Sequence, residues 1–178
     1  MRAMAQAAEM AGAAGIRADG PADIAAIREV TNLPMIGIFK RRDLDPQVYI
    51  TPRFEEVRVL WELGVDIIAL DGTNRPRPGG ECLEDLIARI KTELPEALIM
   101  ADCSTLEEGV RAAELGADLV STTLAGYTEN SRHQEGPDLA LVSELVETVS
   151  VPVICEGRIW TPEQAVEALE RGAWAVVV

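Results

Sequence analysis

Apolar positions along this chain follow two rhythms that alternate from one end to the other. One is a three- and four-residue spacing, seen in "PADIAAIREV", "RFEEVRVLWEL", "CLEDLIARIKTEL", "TLEEGVRAAEL", "PDLALVSELVETV" and "TPEQAVEALERG". That spacing gathers apolar side chains on one helix face. The other is a short run of mostly apolar residues, as in "GIRAD", "PMIGIF", "VDIIAL", "ALIMA", "ADLVS", "VPVI" and "AWAVVV", which reads as a buried strand. Helices that end in Gly15, Gly64, Gly116 or Gly172 alternate with helices stopped near Pro34, Pro95 or Pro152. Glycine after a last helical turn is an expected C-cap, and proline beyond a helix ends it. The pattern predicts seven strands alternating with six full helices, plus a helix that opens the chain. No linker or low-complexity tract interrupts it, so residues 1–178 read as a single domain.

Strict strand–helix alternation leaves two main architectures, an open doubly wound sheet or a closed (β/α)8 barrel. No glycine-rich dinucleotide fingerprint follows a strand. Polar residues instead end nearly every strand: Arg17 and Asp19, Lys40 and Arg41, Asp71, Asp102, Thr122 and Thr123, Glu156 and Arg158. A doubly wound sheet needs such residues at one switch point, whereas a barrel brings all its strand ends to one mouth. The expected fold is therefore α/β, a TIM barrel. The alternation also leads us to expect that a first strand and a last helix are missing, with seven strands present.

Composition narrows the partners. A chain of 178 residues supports one substantial core, built here from Ala, Val, Ile and Leu. No apolar run reaches the roughly 20 residues of a bilayer span. Gln6 and Glu9 interrupt "MRAMAQAAEMAGAAG", which reads as an Ala-rich amphipathic helix rather than a signal peptide. Cys82, Cys103 and Cys155 show no paired spacing, which fits a reducing cytoplasm. A formal net charge of −14 argues against nucleic acid or an anionic membrane as partner. A small anion remains compatible where positive charge is locally concentrated.

Lys40 stands out because only two of the sixteen basic residues are lysines, the other being Lys91 in mid-helix. Arginine stays protonated, whereas a partly desolvated lysine can lose its proton and act as a base. A solvated loop lysine is the alternative. Glu156 ends the strand "VPVI", and Gly157 after it allows close backbone approach to a ligand. In a barrel, Lys40 and Glu156 face one another across the mouth, the arrangement for taking a proton from one face of a carbon and returning it to the other. An ion pair between Glu156 and Arg158 is the competing reading. Asp71 and Asp102 suit sugar hydroxyls or helix caps equally. A metal site is not expected, since His133 is the lone histidine and the cysteines are scattered. Cys103 and Cys155 are read as small buried residues. The loop "DGTNRPRPGG", with Arg75 and Arg77, is either a guard over the mouth or a solvated loop.

Taken together, "GIRAD", "LPMIGIFKR", "VYITPRFEEV", "GVDIIALDGTNRPRP", "LIMADCST", "STTLAGYT" and "VICEGRIWTPEQA" carry a resemblance to the bacterial N-acetylmannosamine-6-phosphate 2-epimerases, from about Ala14 to the last residue. Those enzymes interconvert that sugar phosphate with N-acetylglucosamine 6-phosphate in sialic acid breakdown. The resemblance implies a TIM barrel of the phosphate-binding type and no metal or organic cofactor. It matches Lys40 to the catalytic lysine and Glu156 to the catalytic acid. Arg17 and Asp102 match substrate-contacting residues, and Gly157 and Arg158 fall where the phosphate end is approached. A Cys-Gln-Ala-type motif on a first strand and a Gly-Gly-Ala-Ile motif after the last strand have no counterpart here. Gly72 and Cys155 stand where the family usually has Ala.

Two other readings compete with an epimerase. One is a different phosphate-binding barrel isomerase, such as a pentulose-phosphate epimerase, which uses carboxylates and His around a metal. The other is a catalytically inactive barrel fragment, whose two exposed edge strands favour association, including as a homo-oligomer.

Overall fold

A computed structural model describes residues 1–45 and 47–178. Its helices are α1 (Arg2–Met10), α2 (Pro21–Arg28), α3 (Phe54–Glu62), α4 (Leu83–Glu93), α5 (Leu106–Glu114), α6 (Leu139–Thr148) and α7 (Pro162–Glu170). Between them run β1 (Ile16–Asp19), β2 (Met35–Ile38), β3 (Ile67–Asp71), β4 (Leu98–Asp102), β5 (Leu119–Ser121), β6 (Val153–Glu156) and β7 (Ala175–Val177). The strand order is β1-β2-β3-β4-β5-β6-β7. The expected α/β fold of the TIM-barrel type holds, with seven parallel strands each followed or preceded by its helix.

Contacts divide the described chain into two compact units. The first comprises Met1–Leu70 and Arg75–Leu98, and the second Asp71–Asn74 and Ile99–Val178. In the first, β1 pairs with β2 from Ile16–Met35 to Asp19–Ile38, and β2 pairs with β3 at Ile36–Ile67 and Gly37–Ile68. Its core holds Ile24 and Ile27 of α2, Met35 of β2, Leu60 of α3, and Leu86, Ile87 and Ile90 of α4. In the second, β4 pairs with β5, β5 with β6 and β6 with β7. Val142, Cys155, Ile159, Ala168 and Ala173 pack into one apolar cluster there. Each large aliphatic side chain buried in this way contributes about 1.5–3 kcal/mol.

Most predicted punctuation is found where expected. Gly64, Gly116 and Gly172 follow α3, α5 and α7 with φ of 69°, 105° and 95°. Gly15 does not follow α1: that helix ends at Met10, and Gly12 takes the left-handed position with φ 91°. Gly15 serves packing instead, because a Cβ there would lie 3.0 Å from the Pro34 carbonyl oxygen. At the N-termini, Thr105, Asp138 and Thr161 accept from the backbone N–H of Glu108, Leu141 and Gln164, and Thr161 with Gln164 forms a full capping box. Such caps contribute about 1 kcal/mol each. Cys82 caps α4 through its sulfur, accepting from Asp85 N–H.

Candidate active site

In the first unit the chain leaves β2 and carries Lys40 two residues beyond its end. The pairing does not stop there: Lys40 bridges Ile50 in antiparallel sense, and Arg41 N–H donates to the Tyr49 carbonyl. Asp19, at the end of β1, holds Lys40 at two points. Its Oδ1 accepts the Lys40 backbone N–H at 3.0 Å, and its Oδ2 lies 3.6 Å from the Lys40 ammonium. Both side chains remain open to solvent, at 36% for Lys40 and 41% for Asp19. Lys40 is thus exposed to solvent, on a segment anchored by its backbone and beside a carboxylate partner. Arg17 lies in β1, half-buried.

Arg41, next in sequence, is engaged by carboxylates. Its guanidinium bonds Asp43 and the buried Glu56, and Arg53 reaches the same Glu56 at 2.6 Å. These bonds to Asp43 and Glu56 raise the Arg41 pKa and lower that of Asp43. Arg77 is buried and donates toward the Pro52 carbonyl at 3.4 Å, so this part of the Pro- and Gly-rich loop is anchored rather than solvated. Arg75 is half-buried.

In the second unit the strand ends are lined by hydroxyls. Asp102, fully buried at the end of β4, accepts from Ser121 Oγ and Thr123 Oγ1, each at 3.0 Å. Thr105, not Asp102, caps the following helix. Asp71 is buried and accepts from the N–H and hydroxyl of Thr73 in a local turn. Ser104 donates its N–H and hydroxyl to buried Glu108, and Thr128 donates to Ser104. Cys103 and Cys155 are fully buried, and burial pushes both thiols up.

Glu156 closes β6, half-buried, with its backbone held by the Thr122 hydroxyl. Gly157 follows at φ 103° and Arg158 at φ 56°, so the chain turns sharply through two left-handed residues. Gly157 fits that turn without strain; Arg158 does not. The Arg158 guanidinium donates to the Ala125 carbonyl at 2.5 Å and lies 5.1 Å from the Tyr127 ring centroid. A Cβ at Gly126 would come within 2.1 Å of it. Glycine there is what lets the guanidinium lie flat on the loop after β5.

Sequence reasoning named Lys40, Glu156, Arg17, Asp102, Gly157 and Arg158, and the structure puts Lys40 with Asp19 in one unit and Asp102 with the Ser121 and Thr123 hydroxyls in the other. It did not single out Thr51, whose signal is a positive φ of 42° at a β-branched residue and which no sequence pattern displays. Among the described residues no group of three or more His, Cys, Asp and Glu could hold a metal ion.

The family model for N-acetylmannosamine-6-phosphate epimerase matches residues 1–178. Relatives in Caldanaerobacter subterraneus and Clostridium perfringens, both named "Putative N-acetylmannosamine-6-phosphate 2-epimerase", are 53% and 52% identical to this chain over 178 residues. The alignments span all of this chain and 75% and 80% of those proteins. A solved structure of the N-acetylmannosamine-6-phosphate 2-epimerase from Clostridium perfringens superposes with a TM-score of 0.93 at 52% identity, covering 99% of this chain and 76% of that one. A thiamine phosphate pyrophosphorylase from Pyrococcus furiosus shares the fold alone, with a TM-score of 0.67 at 20% identity.

Proposed function

The chain belongs to the N-acetylmannosamine-6-phosphate epimerase family, and from that premise we infer that it interconverts N-acetylmannosamine 6-phosphate and N-acetylglucosamine 6-phosphate. The observation that carries this reading is the family match over residues 1–178, with Glu156 ending β6 and Lys40 two residues past β2. The reaction is an isomerisation at C2 in the breakdown of amino sugars. In the open-chain sugar the C1 aldehyde acidifies the C2 proton. Lys40 in its neutral form takes that proton; the electron pair of the C–H bond moves onto the aldehyde oxygen as an enolate. Glu156 in its acid form then protonates C2 from the other face. In the reverse direction the roles exchange, so each group serves as base for one epimer.

The remaining residues bind and orient. Arg17 and Asp102 contact the sugar, and positive charge near the strand ends stabilises the enolate oxygen as its charge develops. Gly157 and Arg158 approach the phosphate, where two successive left-handed residues turn the backbone sharply. We place the reaction in the cytoplasm; among the described residues no helix is long and apolar enough to cross a membrane.

Proton NMR of the protein with either sugar phosphate in D₂O tests the reading. Conversion to the other epimer with deuterium at C2 is the expected result. Lys40→Ala and Glu156→Gln should each abolish interconversion while keeping a native circular dichroism spectrum. Interconversion by a folded Lys40→Ala variant would remove Lys40 as a base.

A further inference from the structure

A buried threonine hydroxyl bonds the main chain next to Lys40 in one unit and at Glu156 in the other. Thr51 is fully buried and lies at φ 42°, a conformation that disfavours a β-branched residue. Its hydroxyl stands between the residue that follows β2 and the middle of β3, accepting Phe39 N–H at 3.1 Å and donating to the Ala69 carbonyl at 2.6 Å. Its own N–H donates to the Phe39 carbonyl at 3.1 Å. Both backbone polar groups of Phe39 are thus fixed by one residue, immediately before Lys40. Glycine or asparagine would suit the backbone better; what threonine adds is the hydroxyl bridge.

Thr122 does the same for Glu156. The β5–β6 pairing reaches Ser121–Ile154, and β5 ends there. One residue on, the Thr122 hydroxyl accepts Glu156 N–H and donates to the Glu156 carbonyl, both at 3.1 Å. Thr122 N–H donates to the Ile154 carbonyl. A single hydroxyl therefore occupies both backbone groups of the glutamate where the strand that would have paired with it has stopped.

We propose that Thr51 and Thr122 are positioning residues, each fixing with one buried hydroxyl the main chain from which one member of the acid–base pair projects. The inference rests on the reading of Lys40 and Glu156 as the two bases. Proton transfer tolerates little displacement of the acting group, since about 1 Å of misplacement costs on the order of a hundredfold in rate.

The two-base chemistry supplies a readout that a merely structural residue would not move. C2 deuterium exchange is measured for each epimer separately, by NMR in D₂O. Lys40→Ala identifies the epimer whose exchange needs Lys40, and Glu156→Gln the one that needs Glu156. Thr51→Val should slow the first by about tenfold or more and leave the second within about twofold; Thr122→Val should do the reverse. Thr51→Ser and Thr122→Ser, which keep the hydroxyl, should restore most of the rate. Equal slowing of both epimers, no slowing, or serine variants no better than valine would overturn the assignment. If Thr51→Val does not fold, Thr51→Gly, which accepts the positive φ, takes its place, and Thr122→Ala serves likewise for Thr122. Failure of both substitutions at either site to fold would make that threonine a structural residue and overturn its assignment. If Lys40→Ala and Glu156→Gln do not separate the epimers, the assignment of the pair falls, and this inference with it. If they do and the threonine variants fail to follow, the inference alone falls.

Discussion

Around Lys40 the strand-end segments are held by charge as well as by the Thr51 hydroxyl. Asp19 meets the lysine ammonium, Arg41 meets Asp43, and Arg41 and Arg53 share the buried carboxylate of Glu56. Around Glu156 and Asp102 neutral groups carry more of the same work. The Thr122 hydroxyl holds Glu156, Ser121 and Thr123 hold Asp102, and Ser104 holds Glu108. Glu56 and Glu108 are both buried glutamates, at 1% and 5% exposure, yet one is neutralised by two guanidinium groups and the other is met by an N–H and a hydroxyl. Ion pairs organise a segment at the cost of desolvating both partners, and losing one partner leaves the other stranded. Hydroxyls and amides organise with less at stake in any single bond. On the proposed reading, one member of the pair stands beside a carboxylate, and the other has its main chain fixed by a hydroxyl.

The largest expected effect follows from that contrast. Glu56→Gln leaves Arg41 and Arg53 without their shared carboxylate and should cost about 3 kcal/mol, near the lower end for a broken buried pair because the arginines stay 26% and 28% exposed. Glu108→Gln keeps an acceptor for Ser104 and should cost about 1 kcal/mol. Urea unfolding of the two variants measures both, and a Glu108→Gln cost equal to or above that of Glu56→Gln would break the comparison.

A smaller effect sharpens it in the first unit. Burial works against the charge on Asp66, but bonds from Arg28 and Met35 N–H outweigh it and hold the carboxyl below its ordinary range. A carboxyl whose pKa is lower in the folded state adds stability above its unfolded pKa of about 3.9, and that stability is lost as pH falls through the folded value. The difference in urea midpoint between wild type and Asp66→Asn should therefore hold steady from about pH 7 to about pH 5 and shrink in more acid solution. A difference independent of pH would show that the carboxylate charge is not what stabilises.

How much of this was legible beforehand depended on whether the cause was local. Gly64, Gly116 and Gly172 announce helix ends because a left-handed residue is needed one step past the last turn, a demand written in adjacent residues. Gly15 misled for the same reason: the chain offers Gly12 first, and the Ala-rich helix stops at the earlier chance. Lys40 and Glu156 were visible as charged residues ending apolar runs. Asp19 and Thr122 were visible too, as polar strand ends, but not which group each would hold, and Thr51 was not visible at all. Thr51 reaches Phe39 across twelve residues and Ala69 across eighteen, and Asp19 reaches Lys40 across twenty-one, so those bonds exist only once strands lie side by side. Arg158 was expected beside the phosphate; that its guanidinium lies over Gly126 and beside Tyr127 depends on a loop whose path no periodicity encodes.

The smallest expected effect is chemical. Burial, reinforced by nearby carboxylates, keeps the Cys103 and Cys155 thiols protonated, while Cys82 is exposed. A thiol reagent should modify Cys82 alone in the folded protein and all three cysteines in urea. Rapid native labelling of Cys103 or Cys155 would show that the hydroxyl-lined unit opens more readily than its burial implies.

The strand order has a kinetic consequence. Within each unit every strand pairs with its neighbour in sequence, so each rung of the ladder closes over a single intervening helix and its turns. Closure entropy grows only slowly with loop length, and contacts between near neighbours form fastest. Each unit can therefore add one strand and one helix at a time. The residues read as acid and base are then set in place by the same successive closures that assemble the sheet.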